Sequence, residues 1–307
     1  MVLPSTVLYR GPLSSCNYGC EYCPFAKRKE SREELAKDRG ELERFVAWVA
    51  AQRHTMRVFF TPWGEALVRR WYQEAFVALS AMSHVERVCA QTNLSWKPEW
   101  LDRCALDRVA LWCTFHPGEI QLDRFVAKCR ALDAKGVRYS VGIVATHEHY
   151  AHAVALREAL DARVYLWANA YRRSEGYYTR EDVAKWEAID PLFALNLKEY
   201  PSLGRACRAG SDAIAVDGDG TARRCHFIDA PLANIYEPGW ERALVDAPCS
   251  NKSCRCHIGY VHMDELGLYD VFAGGLLERV PRMWGDREAL LTEGQKARPG
   301  RVLSVIL

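Results

Sequence analysis

Three cysteines, Cys16, Cys20 and Cys23, stand close together near the start of the chain, with the spacing C-x3-C-x2-C. Three thiolates on one loop can hold three irons of a four-iron, four-sulfur cube and leave the fourth iron without a protein ligand. An iron with an open position is what a catalytic metal centre needs. The alternative is a structural zinc site, but zinc normally takes four ligands, and the first histidine along the chain is His54.

A second set of cysteines lies in the last third of the chain. Its members are Cys207, Cys225, Cys249, Cys254 and Cys256. Two of them, Cys207 and Cys225, flank the segment Ala213–Arg224, which is typical of a β-hairpin with two glycines at its turn. This part of the chain is therefore predicted to be a small module organised by a metal.

The elements that must position these cysteines alternate between strand and helix patterns. Six predicted strands span Val7–Arg10, Arg57–Phe60, Val85–Gln91, Val109–Thr114, Arg138–Val144 and Val164–Trp167. The predicted helices span Glu33–Ala51, Ala66–Met82, Pro98–Cys104, Leu122–Ala134 and Tyr150–Leu160. Strands that alternate with helices imply a parallel sheet. We therefore expect an α/β fold, a partial (β/α)6 TIM-like barrel, with its active groups just past the carboxyl ends of the strands.

The chain is predicted to have three parts. Residues 1–200 form the partial barrel, residues 201–260 form a small C-terminal cysteine-rich β-hairpin/helix domain, and residues 261–307 form a C-terminal helix and tail. Within the tail, Leu266–Val280 has a helical pattern, and Arg301–Leu307 is a candidate for an added strand.

Composition and charge exclude several classes of protein. A hydrophobic content of 49% excludes a disordered chain, and no run approaches the roughly 18 apolar residues of a membrane-spanning helix. The N-terminus carries no secretory signal, so we expect a cytoplasmic protein. The 41 basic and 39 acidic residues leave a net charge of +2, which gives no pull toward nucleic acid or an anionic membrane. Clustered cysteines in a cytosolic chain are more often metal ligands than disulfides.

The cysteine loop resembles that of the radical SAM superfamily, and the resemblance covers nearly the whole chain. In that family S-adenosylmethionine chelates the open iron of the 4Fe-4S cluster. One electron from the cluster then cleaves S-adenosylmethionine and gives a 5′-deoxyadenosyl radical. A second motif, Thr61-Pro62-Trp63-Gly64-Glu65, resembles the family's Gly-Gly-Glu motif, which receives the methionyl ammonium. Gly64 lets the backbone approach the ligand and Glu65 offers a carboxylate, whereas Trp63 replaces the first glycine.

The resemblance implies further contacts with S-adenosylmethionine near the ends of the strands. Tyr22 matches the position that packs beside the adenine, and Asn93 lies where the family often places polar residues. Thr114 matches a hydroxyl residue that binds the ribose, and Arg124 an arginine that holds the carboxylate. Asn169, after the sixth predicted strand, is the least specific of these candidates. For Arg124 the alternative is a solvated position on a helix.

The second cysteine set resembles the family's twitch or SPASM-type extension, which carries one or two auxiliary iron–sulfur clusters. Five cysteines can saturate one cube with one thiol to spare but cannot fully ligate two, so we expect one auxiliary 4Fe-4S cluster. The C-x-C pair departs from the commoner C-x2-C, which leaves the choice among Cys249, Cys254 and Cys256 open. A structural zinc site with His226 or His257 is the alternative.

The resemblance implies an enzyme that abstracts hydrogen from a substrate C–H bond. We expect oxidative modification or cross-linking of a peptide or protein, with a reduced flavodoxin or ferredoxin-type protein as electron donor and without a fused leader-peptide-binding domain. The alternatives are dehydrogenation of a small molecule and, in a different class, a non-catalytic zinc-binding adaptor. The candidates for contact with the substrate follow strands four to six and are His116, His147, Glu148, His149, Tyr171 and Arg172.

Overall fold

A computed structural model describes residues 3–25 and 28–285 of the chain. Six strands appear at the predicted places: β1 Thr6–Arg10, β2 Met56–Phe60, β3 Val85–Thr92, β4 Val109–Phe115, β5 Arg138–Ala145 and β6 Leu166–Ala170. The later strands are shorter: β7 Tyr200–Pro201, β8 Ala213–Asp217, β9 Thr221–Arg223, β10 Pro231–Asn234 and β11 Ser253–Cys254.

Helices follow most of the first six strands. The α-helices are α1 Arg32–Ala51, α2 Arg70–Ala81, α3 Leu122–Lys135, α4 Tyr150–Ala159, α5 Arg180–Glu187, α6 Phe193–Leu197, α7 His257–Tyr260, α8 Leu268–Phe272 and α9 Arg282–Gly285. Short 3-10 helices cover Ala66–Val68, Pro98–Arg103, Leu106–Arg108, Trp240–Ala243, Asp264–Leu266 and Ala273–Gly275. The longest helix, α1, begins at a capping box in which Ser31 and Glu34 satisfy each other's backbone N–H groups.

The first six strands are parallel neighbours in chain order, as predicted, and they belong to a nine-stranded sheet with the order β10-β9-β8-β1-β2-β3-β4-β5-β6. The predicted hairpin is present as β8 and β9, with Gly220 at a φ of +91° in its turn. Its first strand pairs in parallel with β1, from Thr6 opposite Ala213 to Arg10 opposite Asp217. The hairpin therefore extends the main sheet at the edge formed by β1.

The two faces of the parallel strands are covered by different parts of the chain. On one face, Tyr9 stacks on Phe45 of α1, and Phe60 packs against Phe76 of α2. On the opposite face, Phe59, Trp112 and Trp167 pack against the segment 258–277. Strands that are buried on both faces are typical of parallel sheets, and here the second cover comes from the C-terminal part of the chain.

Three predicted elements differ from the observed ones. The predicted helix Leu266–Val280 is broken, because Gly267 and Ala273 have positive φ angles of 59° and 40° and two glycines follow. The predicted helix Ala66–Met82 is a 3-10 turn followed by α2, with Arg69 in an extended conformation between them. Strand β6 begins and ends later than Val164–Trp167, so Asn169 lies within this strand rather than after it.

No helix in the described parts of the chain is long and apolar enough to cross a membrane. The candidate strand Arg301–Leu307 lies outside the described residues.

Candidate functional site

The loop that carries the first three cysteines is fixed by two acidic residues from the start of α1 and the segment before it. Buried Asp38 accepts a hydrogen bond from the Leu13 backbone N–H at 3.1 Å, and Trp71 and Tyr72 also donate to it. Glu30 Oε1 accepts the backbone N–H groups of Ser14 and Ser15 at 2.5 and 2.6 Å. Both carboxylates therefore hold the chain immediately before Cys16.

The turn after β2 touches the same loop backbone to backbone. Gly64 N–H donates to the Leu13 carbonyl at 3.3 Å, and Glu65 N–H donates to the Ser15 carbonyl at 3.0 Å. A Cβ at Gly64 would overlap the Ser15 carbonyl group, so only glycine allows this approach. The motif at the end of β2 is thus fastened to the residue that precedes Cys16.

Glu65 is buried in this turn, with 4% of its surface exposed. Its carboxylate accepts hydrogen bonds from Thr92 Oγ1 at 2.7 Å, from the Asn93 N–H at 2.6 Å and from the Leu67 N–H at 3.1 Å. Burial raises the pKa of Glu65 to about 7, although these hydrogen bonds act in the opposite direction. The carboxylate links the ends of β2 and β3.

The end of β3 also reaches the first cysteine. Asn93 Nδ2 lies 3.6 Å from Cys16 Sγ and 3.1 Å from Asn17 Oδ1. The Tyr18 N–H lies 3.4 Å from the same sulfur. Cys16 Sγ thus receives two N–H donors, the kind of contact that stabilises a thiolate and tunes a metal cluster bound to it.

The second cysteine meets residues that follow β4. Cys20 Sγ lies 3.4 Å from His116 Nδ1, and the Tyr22 hydroxyl lies 2.7 Å from the same nitrogen. Tyr22 also makes an edge contact with His149, with ring centroids 5.1 Å apart. Burial, together with the charge of His149, lowers the pKa of His116 to about 4, so the imidazole is neutral near pH 7. Glu119 accepts the Gly19 N–H at 2.8 Å and joins this end of the loop to the turn after β4.

The three thiols are close enough to influence one another electrostatically. Burial raises the pKa of Cys16, and it raises the pKa of Cys20 to about 11; the charge of Cys23 contributes to both shifts. None of the three forms a disulfide. Within residues 3–25 and 28–285, no three His, Cys, Asp or Glu side chains converge on one metal ion. A cubane cluster does not need such convergence, because each thiolate binds a different iron.

Four other residues predicted at this site show no direct contact with the cysteines among the described interactions. Trp63 is exposed and packs between Phe25, at 4.3 Å, and the guanidinium of Arg10, at 4.1 Å. The remaining three are partly or fully exposed: Thr114 near the end of β4, Arg124 in the first turn of α3, and Asn169 in β6. Their predicted contacts stay predictions.

The cysteines of the second set fall into two environments. Cys207 and Cys249 belong to one small buried cluster, with Cys225 packed against it. Burial raises the pKa of Cys254 to about 12, and the four other cysteines of this set contribute to that shift. Close packing surrounds Cys254, since a Cβ on Gly259 would lie 2.7 Å from its sulfur.

Cys256 lies in a different environment from the cluster of Cys207, Cys225 and Cys249. Burial raises the pKa of its thiol, and the positive charges of Arg172, Arg10 and Arg279 oppose that rise. The strongest charges on Cys256 are therefore guanidinium groups, although Cys256 also acts electrostatically on the Cys254 thiol.

The two histidines considered as zinc ligands have other partners. His226 Nε2 lies 2.9 Å from Thr61 Oγ1, which connects the residue after Cys225 to the end of β2. His257 is buried, and its ring packs at 5.3 Å from Trp112 and 5.1 Å from Phe272. His226 is thus engaged by Thr61, whereas His257 Nε2 is buried without a hydrogen-bond partner among the described residues.

The candidate substrate contacts divide into two groups. His116 and His149 lie beside Tyr22, as described above, and so stand at the first cysteine loop. His147 stacks on Tyr177 at 4.2 Å, and the Tyr171 N–H donates to Tyr178 at 2.7 Å. Arg172 donates to the backbone carbonyl of Arg255, next to the second cysteine set, whereas Glu148 is exposed.

Sequence reasoning missed several residues that hold the site together. Asp38, Glu30 and Arg173 all contact the first cysteine loop, Arg173 through the Tyr22 carbonyl at 3.0 Å. Arg173 and Tyr22 are 151 positions apart in the chain, so spacing in the sequence gives no sign of their contact. The one available signal was Asp38, an acidic residue on the buried side of an amphipathic helix.

The sequence matches no protein-family model and no curated protein. Among solved structures, native anSMEcpe with bound AdoMet and Kp18Cys peptide aligns with a TM-score of 0.52 at 13% identity, over 89% of this chain and 98% of that one. The complex of anSMEcpe with AdoMet and Cp18Cys peptide gives 0.51 at 16% identity, over 79% and 82%. BtrN in an open conformation gives 0.41 at 14% identity, over 87% and 98%, a score from which we infer nothing. The chain therefore shares its fold with anSMEcpe.

Proposed function

We propose that this protein is a radical SAM enzyme whose catalytic cluster is held by Cys16, Cys20 and Cys23. The observation that carries the proposal is the meeting of three strand ends at Cys16. Gly64, from the end of β2, packs on Ser15 beside that cysteine, and Asn93, from the end of β3, contacts its sulfur. The shared fold with anSMEcpe, whose structures contain AdoMet, supports the same conclusion.

The donor set of the first loop fits a cluster with one open iron. It offers three thiols outside any disulfide, in C-x3-C-x2-C spacing, and N–H donors directed at one sulfur. When bound, the cluster supplies the electron that cleaves S-adenosylmethionine and so yields the radical that abstracts hydrogen from a substrate. The thiols must lose their protons to bind iron, and iron binding provides the driving force for that loss.

The residues around the loop would bind and orient S-adenosylmethionine. The buried carboxylate of Glu65 would receive the ammonium group, and Gly64 would let the backbone approach it. Tyr22 would pack beside the adenine, with its hydroxyl fixed by His116. Asn93, Thr114, Arg124 and Asn169 would provide polar contacts to the rest of the molecule.

We further propose that one auxiliary 4Fe-4S cluster is ligated by Cys207, Cys225, Cys249 and Cys254. The cluster of buried cysteines and the electrostatic coupling of Cys254 to its members support this set of four. Arg224 borders the same region, where it donates to the backbone carbonyls of Ala209, Pro248 and Ala247. Its charge would offset the negative charge of four thiolates.

The proposed reaction is the oxidative modification or cross-linking of a peptide or protein. The structures of anSMEcpe with a bound peptide support a peptide over other substrates. A reduced flavodoxin or ferredoxin-type protein would deliver the electron. Dehydrogenation of a small molecule is the alternative reaction for the same residues.

The release of 5′-deoxyadenosine tests this function. Protein purified without oxygen should be brown, should contain about eight irons per chain and should release 5′-deoxyadenosine when dithionite and S-adenosylmethionine are added. The substitutions Cys16→Ala, Cys20→Ala and Cys23→Ala should each abolish the release. Cys104→Ala is the matched control, because Cys104 lies outside both cysteine sets and caps a 3-10 helix through its backbone N–H, which alanine retains.

The adaptor alternative predicts a different protein. A colourless preparation that contains zinc, lacks iron and releases no 5′-deoxyadenosine would show that the protein is a non-catalytic zinc-binding adaptor and not an enzyme.

A further inference from the structure

The loop after β6 touches both cysteine regions through two consecutive arginines. Arg172 Nη1 donates to the backbone carbonyl of Arg255, which lies between Cys254 and Cys256 in sequence. Arg173 Nη2 donates to the backbone carbonyl of Tyr22, next to Cys23. Arg172 therefore lies where a molecule bound between the first cysteine loop and the second cysteine set would meet it.

Most of the hydrogen-bonding capacity of Arg172 is unused. Its Nε and Nη2 atoms are buried and have no acceptor among the described residues. No Asp or Glu carboxylate forms an ion pair with Arg172 within that part of the chain. Burial lowers the pKa of Arg172, which reflects the unfavourable environment of a cation that lacks an anionic partner. A guanidinium with two buried, unpaired nitrogen atoms on one edge is a ready site for an anion.

Other positive groups lie near the same place. Arg172, Arg10 and Arg279 all act electrostatically on the Cys256 thiol. Arg279 is buried over the Trp167 ring at 4.6 Å, and its Nε atom also has no acceptor among the described residues. Arg10 donates its Nε proton to the Thr61 carbonyl at 2.8 Å and stacks on Trp63. The positive charge on this side of Cys256 favours a negatively charged ligand.

We propose that Arg172 binds a carboxylate group of the substrate between the two cysteine regions, and that this residue selects an anionic substrate. The identification of the ligand as a substrate rests on the proposed function. A planar guanidinium fork with two free donors matches a carboxylate in a bidentate manner. S-adenosylmethionine also has a carboxylate, so the experiment must distinguish that carboxylate from the carboxylate of the substrate.

The probe is trifluoroacetate, titrated into the full-length, anaerobically reconstituted protein at constant ionic strength and followed by 19F NMR line broadening. Wild type should show saturable binding. Arg172→Gln should weaken it about 10-fold or more, and Arg172→Lys, which keeps the charge but not the fork, should have an intermediate effect. Arg180→Gln is the control, since Arg180 is exposed at the start of α5. Iron content and circular dichroism identify a variant that has not folded.

Equilibrium dialysis with labelled S-adenosylmethionine provides the second measurement. The proposal expects Arg172→Gln to keep the affinity for S-adenosylmethionine within about twofold of wild type, because a different carboxylate occupies Arg172. A loss of about 10-fold would assign Arg172 to S-adenosylmethionine and overturn the proposal, as would unchanged trifluoroacetate binding in the folded Gln variant. Failure of wild type to release 5′-deoxyadenosine would contradict the proposed function instead, and the trifluoroacetate titration would still decide whether Arg172 binds an anion.

Discussion

Individual cysteines of this chain differ in what surrounds their sulfur atoms, and that difference is the basis for the proposed choice of cluster ligands. Cys16 receives N–H donors from Tyr18 and Asn93. Cys254 is coupled to the other cysteines of the second set, Cys256 included, whereas the strongest charges on Cys256 come from three arginines. Spacing alone could not separate Cys254 from Cys256, because only one residue lies between them. The surroundings of the two sulfurs supply the distinction.

The substitutions Cys254→Ala and Cys256→Ala should therefore have different effects on iron content. Cys254→Ala removes one of the four proposed auxiliary ligands and should lower the iron content from about eight to about four per chain. Cys256→Ala should retain about eight irons. Iron analysis after anaerobic reconstitution checks this pair, and a loss of the auxiliary irons in Cys256→Ala but not in Cys254→Ala would reassign the ligands.

The buried carboxyl group of Glu65 should make the binding of S-adenosylmethionine depend on pH. Burial raises the pKa of Glu65 to about 7, so the group becomes neutral as the pH falls below that value and attracts an ammonium less. Affinity should therefore decrease between about pH 7.5 and pH 6. Glu65→Gln should bind about 10-fold more weakly at pH 7.5 and should lose this decrease.

Equilibrium dialysis across this range measures the effect. The amino group of the ligand, with a pKa near 8, titrates in both proteins and so cancels in the comparison. If Glu65→Gln kept the wild-type affinity and the wild-type pH profile, Glu65 would not be the residue that binds the ammonium group.

At the level of secondary-structure elements, the site depends on close contact between loops at the carboxyl ends of neighbouring strands. The turn after β2 lies directly on the loop after β1, and the Glu65 carboxylate connects it to the end of β3. Parallel strands bring their carboxyl ends to one edge, which is why the alternating pattern predicted this meeting. The backbone contact between Gly64 and Ser15 was not predictable, because nothing in the spacing shows how near two loops come.

Gly64→Ala should disturb the first cysteine loop specifically. The new Cβ would overlap the Ser15 carbonyl group, so the backbone before Cys16 must move. We expect the loss of most of the four irons of the first cluster and a decrease of about 1–3 kcal/mol in the free energy of unfolding.

Gly40→Ala is the control for this change. Gly40 lies inside α1 with nothing within 4 Å of a new Cβ, so alanine should raise the free energy of unfolding by roughly 0.5–1 kcal/mol and leave the iron content unchanged. Full iron content in Gly64→Ala would show that the tight contact is not required.

In the whole molecule, the second cysteine region is joined to the main sheet rather than attached by a linker. Strand β8 pairs with β1 through five registered residues, and the segment 258–277 covers one face of the parallel strands. His226, which follows Cys225, contacts Thr61 at the end of β2. The boundary predicted at residue 200 therefore crosses a continuous sheet and a continuous core.

A chain that ends at Tyr200 should not fold. It would expose Leu8, Phe59, Trp112 and Trp167, whose burial contributes roughly 1.5–3 kcal/mol each, and the total is comparable to the stability of a whole domain. The truncated protein should be insoluble or should bind a hydrophobic dye without a cooperative thermal transition. A soluble protein with a sharp transition would establish residues 1–200 as an independent domain.

The sequence predicted the order of six strands and the hairpin, because these follow from periodicity and from turn residues over short distances. The broken helix near Gly267 and the contacts of Asp38 and Glu30 were not predicted. The break in the helix depends on local backbone angles, and the contacts of Asp38 and Glu30 depend on tertiary packing. The barrel form and the three-part division remain predictions.

The open iron proposed at Cys16, Cys20 and Cys23 can be tested by Mössbauer spectroscopy of protein reconstituted with 57Fe, recorded with and without S-adenosylmethionine. We predict that one iron of about eight changes its isomer shift and quadrupole splitting when the ligand is added, because a single iron lacks a protein ligand. Identical spectra under both conditions, at a concentration of S-adenosylmethionine that saturates binding, would contradict the presence of an open iron.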